Sequence, residues 1–188
     1  MNMHSDTDTQ LLEAFLKGDE AAFEALYERH HRSVLNVAYR LLGNRDAAED
    51  IAQEVLLKLY TSPRSYKPTA KLSTWLYRVT YNTCIDEMRR HKSISLPDDQ
   101  PASRDVASPE SALESSELAA VVQSAIASLP EKQRMAVVLQ RYEGLSYQEI
   151  AEVLKTSIPA VESLLFRAKE TLKARLSPYV AESPEAQD

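Results

Sequence analysis

Glycine is nearly absent from this chain. Its 188 residues contain only three, Gly18, Gly43 and Gly144. Phosphate-cradling loops, tight hairpin arrays and dinucleotide folds all need glycine at positive φ or close against a ligand. A chain this poor in glycine can hardly build them, so the three read instead as stops at helix ends. The prolines agree. None of the nine falls within residues 1–62, 69–96, 131–158 or 160–177. Uninterrupted stretches of that length suit helices, and no strand pattern competes with them.

Where prolines do gather, the chain changes character. Pro97, Pro101 and Pro109 lie in a polar stretch poor in large apolar residues, which cannot offset the entropy of ordering. Residues 93–117 carry Arg104 against six acidic side chains, whereas 11–92 and 118–177 each hold a small excess of Lys and Arg. The expected fold is all-α: a helical domain over 1–92, a flexible acidic linker over 93–116, a second helical domain over 117–177 and an acidic tail over 178–188. Two mildly basic blocks between acidic segments are either ordinary domain surfaces or nucleic-acid-binding blocks whose basicity is masked. The formal net charge of −6 excludes a simple DNA-coating protein. A single cysteine, Cys84, excludes an intramolecular disulfide framework and a cysteine-based zinc site. No apolar run nears the roughly 18 residues of a membrane span and no signal peptide opens the chain, which points to the cytoplasm.

Within the first block, Thr7 and Gln10 form a capping box that opens one helix, which Gly18 ends. Asp19 caps a second, in which Phe23, Leu26, Tyr27, His30, Val34, Val37 and Leu41 recur at helical spacing. Gly43 stops it and Asn44 caps a third, with Ala48, Ile51, Val55 and Leu59 on its inner face. A fourth runs from about Leu72 to His91. In the second block, a helix spans Glu117 to Ser128, and Pro130 takes the first position of the next. Ser146 and Glu149 form a capping box for a short helix to about Leu154. The turn Lys155-Thr156-Ser157 leads to a last helix from Ile158 to about Leu176.

Three surfaces hold residue types that suit recognition. Two helices joined by a three- or four-residue turn are a DNA-reading geometry, with the second helix entering the major groove. On that helix Ile158, Val161, Leu165, Ala168 and Leu172 face the core, leaving Ser163, Phe166, Arg167 and Glu170 outside. Arg bonds guanine and Phe contacts a thymine methyl, while Lys155, Lys169, Lys173 and Arg175 suit phosphates. An ordinary helical corner is the plainer reading. On the fourth helix, Trp75, Arg78, Asn82, Asp86 and Arg89 share a side opposite Leu76, Val79, Thr80 and Thr83. An exposed Trp with two arginines and an amide, near Tyr66 and Lys67 of the preceding loop, suits unpaired bases. A half-buried Trp beside solvated arginines is the alternative. The third helix bears Asp46, Glu49, Asp50, Gln53 and Glu54 on one contiguous face beside Leu57, which suits a basic partner or plain solvation. His30 reads as a satisfied histidine on an apolar stripe and Cys84 as a buried small side chain. No nucleophile, base and oxyanion donor stand together, and no metal site or cofactor is expected.

These segments resemble a known family. LLEAFLKGDEAAFEALYERHHRSVLNVAYRLLGNRDAAEDIAQEVLLKLY, followed by STWLYRVTYNTCIDEMRR, is similar to the second conserved region of extracytoplasmic-function (ECF) RNA polymerase sigma factors. LPEKQRMAVVLQRYEGLSYQEIAEVLKTSIPAVESLLFRAKETLK is similar to their fourth. The resemblance implies two helical domains that bind core RNA polymerase and direct it to a promoter. It implies that Asn82 and the loop around Tyr66 and Lys67 read the −10 element as single strand, with Trp75 and Arg78 supporting strand opening and Arg89 counted among the −10 DNA-binding residues. It implies that Ser163, Phe166 and Arg167 face the −35 duplex. Asp50, Gln53 and Glu54 match the stretch that docks on the polymerase clamp, and Asp46 and Glu49 extend it. Many members are held inactive by an anti-sigma factor. The family often has basic residues where Glu162 and Leu164 stand; a carboxylate there repels phosphate but can accept from cytosine N4. The competing readings are a stand-alone helix–turn–helix regulator and a helical adaptor that binds only protein.

Overall fold

The computed structural model describes residues 3–66, 71–94 and 113–180, which form eight α-helices and one short 3-10 turn with no strand among them. The helices are α1 (Met3–Leu16), α2 (Glu20–Leu42), α3 (Arg45–Thr61), α4 (Leu72–Ile94), α5 (Leu113–Ala127), α6 (Glu131–Arg141), α7 (Tyr147–Leu154) and α8 (Ile158–Val180). The 3-10 turn, Pro63–Ser65, follows α3. The all-α expectation holds.

Local chemistry sets most of the boundaries. The Asp19 carboxylate accepts from the Ala21 N–H at 3.1 Å, and the Asn44 side chain accepts from the Ala47 N–H at 2.9 Å. Gly43 adopts φ 72° and its N–H returns to the Tyr39 carbonyl, a left-handed stop that a Cβ would strain. Both halves of the Ser146/Glu149 capping box are formed.

Four expectations need correction. Thr7 and Gln10 lie inside α1 and do not cap it; the carboxylate that matters is Asp8, bonded to Arg29 and His30 of α2. Pro130 stands just before α6, because its ψ of 144° is extended. Helices reach further into the expected linker, to Ile94 and from Leu113, and the rest of it lies outside the described residues. Helix α8 continues past Leu176 to Val180 despite Pro178. Proline removes the N–H that would bond the Ala174 carbonyl. The Ser177 hydroxyl donates to that carbonyl instead, at 3.2 Å.

In the first half of the chain, α2 is the spine. Leu26, Val34, Val37 and Leu41 bury against Ile51, Val55 and Leu59 of α3 and Leu72 and Leu76 of α4. In the second half, Met135, Val138 and Leu139 of α6 meet Ile150, Val153 and Leu154 of α7 and Val161, Leu165 and Ala168 of α8. The two halves then share one apolar seam, where α4 packs on α7 and α2 on α6. Polar contacts cross it. The Tyr77 hydroxyl donates to Glu143 at 2.6 Å and the Lys71 ammonium to Glu149 at 2.6 Å. The Arg40 guanidinium lies 3.9 Å over the Tyr142 ring. Arg134 donates to the carbonyls of Leu41, Ala127 and Leu129. Each fully buried leucine contributes about 1.5–3 kcal/mol, whereas a typical hydrogen bond nets about 1 kcal/mol. Apolar burial therefore outweighs the polar contacts residue for residue, and the polar contacts fix the register of the seam.

Arg134→Ala leaves three helix-end carbonyls short of a donor and should cost about 2–3 kcal/mol. Tyr77→Phe removes one hydroxyl bond to a carboxylate and should cost about 1.5–3 kcal/mol. Equilibrium urea denaturation of the full chain measures both, and an Arg134→Ala loss within about 0.5 kcal/mol of zero would show that Arg134 plays no such joining role.

Candidate nucleic-acid interfaces

Helices α7 and α8 meet in a helix–turn–helix. Lys155 closes α7 at φ 48°, the only positive φ outside glycine among the described residues, and the Thr156 N–H returns to the Ala151 carbonyl at 2.9 Å. Val161, Leu165 and Ala168 turn inward as expected, and Leu172 is half-buried. Ile158 does not join them: it is 43% exposed, because it opens α8 at the rim where α7 has already ended. Glu162, Ser163, Phe166 and Arg167 line one shallow, open depression on the outer face. Phe166 is 67% exposed, which core packing does not explain. Lys155, Lys169, Lys173 and Arg175 are exposed, as is Glu170. Leu164 is half-buried against the core and stays out of this face.

The α4 surface differs from its expectation. Trp75 is only 5% exposed and Tyr66 7%, with their rings edge to face at 6.2 Å. The segment after α3 folds back over the start of α4, so the two rings pack on each other and offer no open stacking platform. Helical spacing identifies the face of Trp75 but not what covers it. Arg78 is half-buried, whereas Asn82, Asp86 and Arg89 are exposed; Arg89 lies 3.8 Å from Asp86. Lys67 is outside the described residues. Asn82 lines a polar cleft between α3 and α4 that also takes in Glu54, Lys58, Thr83, Asp86 and Arg90. The structure thus brings Asn82 beside the acidic helix, which sequence spacing alone does not reveal.

Along α3, Asp46, Asp50, Gln53 and Glu54 are exposed opposite the buried Ala48, Ile51 and Val55. Glu49 is half-buried and pairs with Arg45 at 3.0 Å. The stripe continues into Leu57, 60% exposed, and Tyr60, whose ring meets Phe15 at 5.4 Å and Phe23 at 4.9 Å. An acidic face therefore runs into an apolar one.

A charge cluster ties α1 to α2. Asp8 receives Arg29 at 2.6 Å and His30 at 2.9 Å, so His30 is the satisfied histidine its position suggests. Burial pushes the Asp8 carboxyl up, but hydrogen bonds and charge from His30 and Arg29 outweigh it and hold the group below its ordinary value. Burial, with the Asp8 charge added, raises the Tyr66 phenol. Asp8 escapes sequence reasoning because it reads as part of an acidic leader; its place four residues before the buried Leu12 is the signal that puts it on the inner face. Cys84 is buried, with its thiol pushed up to about 12 by burial and by Glu87. Among the described residues, no group of three or more His, Cys, Asp or Glu is placed to hold a metal ion, and no helix is long and apolar enough to cross a membrane.

Comparison with known proteins agrees with this arrangement. Residues 26–94 match the family Sigma-70 region 2, and residues 119–172 match Sigma-70, region 4. The chain is 32% identical over 189 residues to the RNA polymerase sigma-H factor of Pseudomonas aeruginosa, covering 95% of this chain and 98% of that protein. It is 32% identical over 185 residues to the ECF RNA polymerase sigma-E factor of Escherichia coli K12, covering 93% and 96% respectively. Its fold matches the sigma factor RpoE of Bartonella quintana, solved in complex with the anti-sigma factor NepR, at TM-score 0.71 and 24% identity, over 82% of this chain and 96% of that one.

The ionised form of Asp8 is the one the fold favours. Its contribution is complete above the ordinary carboxylate pKa and is lost as the pH falls through the lower folded value. Asp8→Asn should therefore lower the melting temperature by about 3–6 °C near neutral pH. The gap from the parent should narrow once the pH falls below the ordinary carboxylate range and close below the lowered folded value. A gap independent of pH would assign the effect to shape instead of charge.

Proposed function

The chain belongs to the ECF RNA polymerase sigma factors, and we propose how its surfaces divide the work of transcription initiation. It acts with core RNA polymerase at promoter DNA. The outer face of α8, with Glu162, Ser163, Phe166 and Arg167, reads the −35 duplex while Lys155, Lys169 and Lys173 hold phosphates. Asn82 reads an unpaired base of the −10 element, with Arg78, Arg89 and Lys67 on the strand backbone. Tyr66 and Trp75, packed edge to face, brace the start of α4. Asp46, Glu49, Asp50, Gln53 and Glu54 dock on a basic polymerase surface.

The observation that carries this reading is the exposure of Phe166 beside Arg167 on the second helix of a helix–turn–helix. A large ring in water has no structural use there, and both residue types suit base edges. The protein itself performs no chemical step; it supplies promoter choice and strand separation to the polymerase, in the cytoplasm. An anti-sigma factor, such as the NepR bound to RpoE, controls its release.

Arg167→Ala should weaken holoenzyme binding by about 1–3 kcal/mol and relax base preference within the −35 element. Lys173→Ala should weaken binding evenly across sequences. Unchanged affinity and preference in Arg167→Ala would refute the orientation given to α8.

Asp50→Lys with Glu54→Lys should leave the fold within about 0.5 kcal/mol of the parent, since both side chains are exposed. The pair should still weaken capture of core polymerase, because like charges repel across an interface. Unchanged core affinity would move the dock elsewhere, and a collapsed melting temperature would make this face structural.

A further inference from the structure

Glu162 is an anomaly on the face that surrounds it. It shares one depression with Ser163, Phe166 and Arg167, among the exposed cations Lys155, Lys169 and Lys173. A carboxylate on a surface that approaches phosphates raises the cost of approach unless something there bonds it.

The ordinary structural uses of such a residue do not apply. Glutamate supports a helix N-terminus only within the first turn. Helix α8 begins at Ile158, so Glu162 lies past that turn. Glutamate also supports a helix through a cation three or four positions away. At those positions α8 has Ile158, Pro159, Leu165 and Phe166, none of them charged. No ion pair or hydrogen bond of the Glu162 side chain is formed among the described residues. The side chain is exposed and aimed outward with no partner in the fold.

Resting on the assignment of α8 to the −35 duplex, we infer that Glu162 is a specificity residue that selects cytosine by accepting from its N4 amino group in the major groove. The base chemistry singles out cytosine. Guanine offers two acceptors there, thymine an acceptor and a methyl, and adenine a donor beside an acceptor. Cytosine alone presents a donor with no acceptor on the same base, so a carboxylate gains a bond there and meets repulsion elsewhere. Glu162 and Arg167 occupy opposite flanks of the face, with Phe166 and Ser163 between them. Five residues of helix separate the two flanks by about 7.5 Å along its axis. They therefore address different base pairs, Arg167 a guanine and Glu162 a cytosine.

The test uses holoenzyme reconstituted from the full chain and core RNA polymerase, on duplex promoter libraries randomised over the −35 element. The bound fraction is sequenced for the parent, Glu162→Ala, Glu162→Gln and Arg167→Ala. The parent should enrich cytosine at one position by roughly tenfold. Glu162→Ala should flatten that position alone, with affinity for the other three bases kept or improved. Glu162→Gln should move the preference there towards adenine, which glutamine bonds through N6 and N7. Identical selection by the parent and both Glu162 variants, with altered selection by Arg167→Ala, would overturn the inference and leave the α8 assignment standing. No change in any variant would overturn both. Loss of selection at every position in Glu162→Ala would overturn it in favour of a structural role.

Discussion

One guanidinium reaches helix ends in both halves of this molecule. Arg134 of α6 donates to the carbonyl of Leu41 at the end of α2, and to those of Ala127 and Leu129 at the end of α5. Helix C-termini leave carbonyls without intrahelical partners and carry partial negative charge. A cation that serves two of them satisfies acceptors that burial would otherwise leave bare. Burial lowers the Arg134 pKa while the Glu131 charge raises it, and arginine stays protonated within any such shift. The contact sets where α6 lies on α2, and α7 on α4 follows. The pairs Tyr77–Glu143 and Lys71–Glu149 then hold the second contact in register along α4. Replacing Arg by Lys would not reproduce this, because an ammonium lacks the planar fork that spans separate acceptors.

Glu149 shows how a local signal and a long-range one come to rest on the same atoms. Its carboxylate completes the capping box at Ser146 and also takes the Lys71 ammonium from the other half of the chain. Burial pushes the group up; the bonds from Lys71 and Ser146 outweigh it and lower it. The helix that opens the helix–turn–helix therefore begins properly in isolation and docks through the same residue. Cap and contact reinforce each other, which is the consistency between local and global preference that favours one folded state.

The legible parts of the fold were those decided within a few residues. Asp19, Gly43, Asn44 and the Ser146/Glu149 box each act over four positions or fewer, and each boundary falls where they place it. Thr7 failed because α1 is fixed by Asp8 against α2, some twenty positions away, and not by a cap. Trp75 failed for a related reason. Tyr66 comes over its side of α4 from the preceding segment, and a helical wheel contains no information about what lies above it. Ile158 continued the right periodicity past the point where a neighbour exists to cover it. The seam between halves joins residues 66 or more positions apart, from Tyr77 with Glu143 to Arg40 with Tyr142, which no spacing rule reaches. On α8 and α3, by contrast, the exposed residues of interest lie where their spacing puts them, because both helices are long, regular and backed by one apolar stripe.

That difference follows from how the work is divided among side chains. Stability is stored where α2 meets α3, α4 and α6, and where α7 and α8 close on each other. The outward side chains of α8, from Glu162 to Arg167, take no part in it: they face water and contribute neither an apolar contact to the seam nor a cap. Substituting them changes the fold little, so their chemistry is set by whatever approaches that face. Asn82 is in an intermediate position. It is exposed, yet it stands on a helix whose other side carries Leu76, Thr80 and Cys84 at full burial, and it shares a cleft with Glu54 of α3. A displacement of α3 against α4 would change the spacing between Asn82 and the acidic stripe across that cleft.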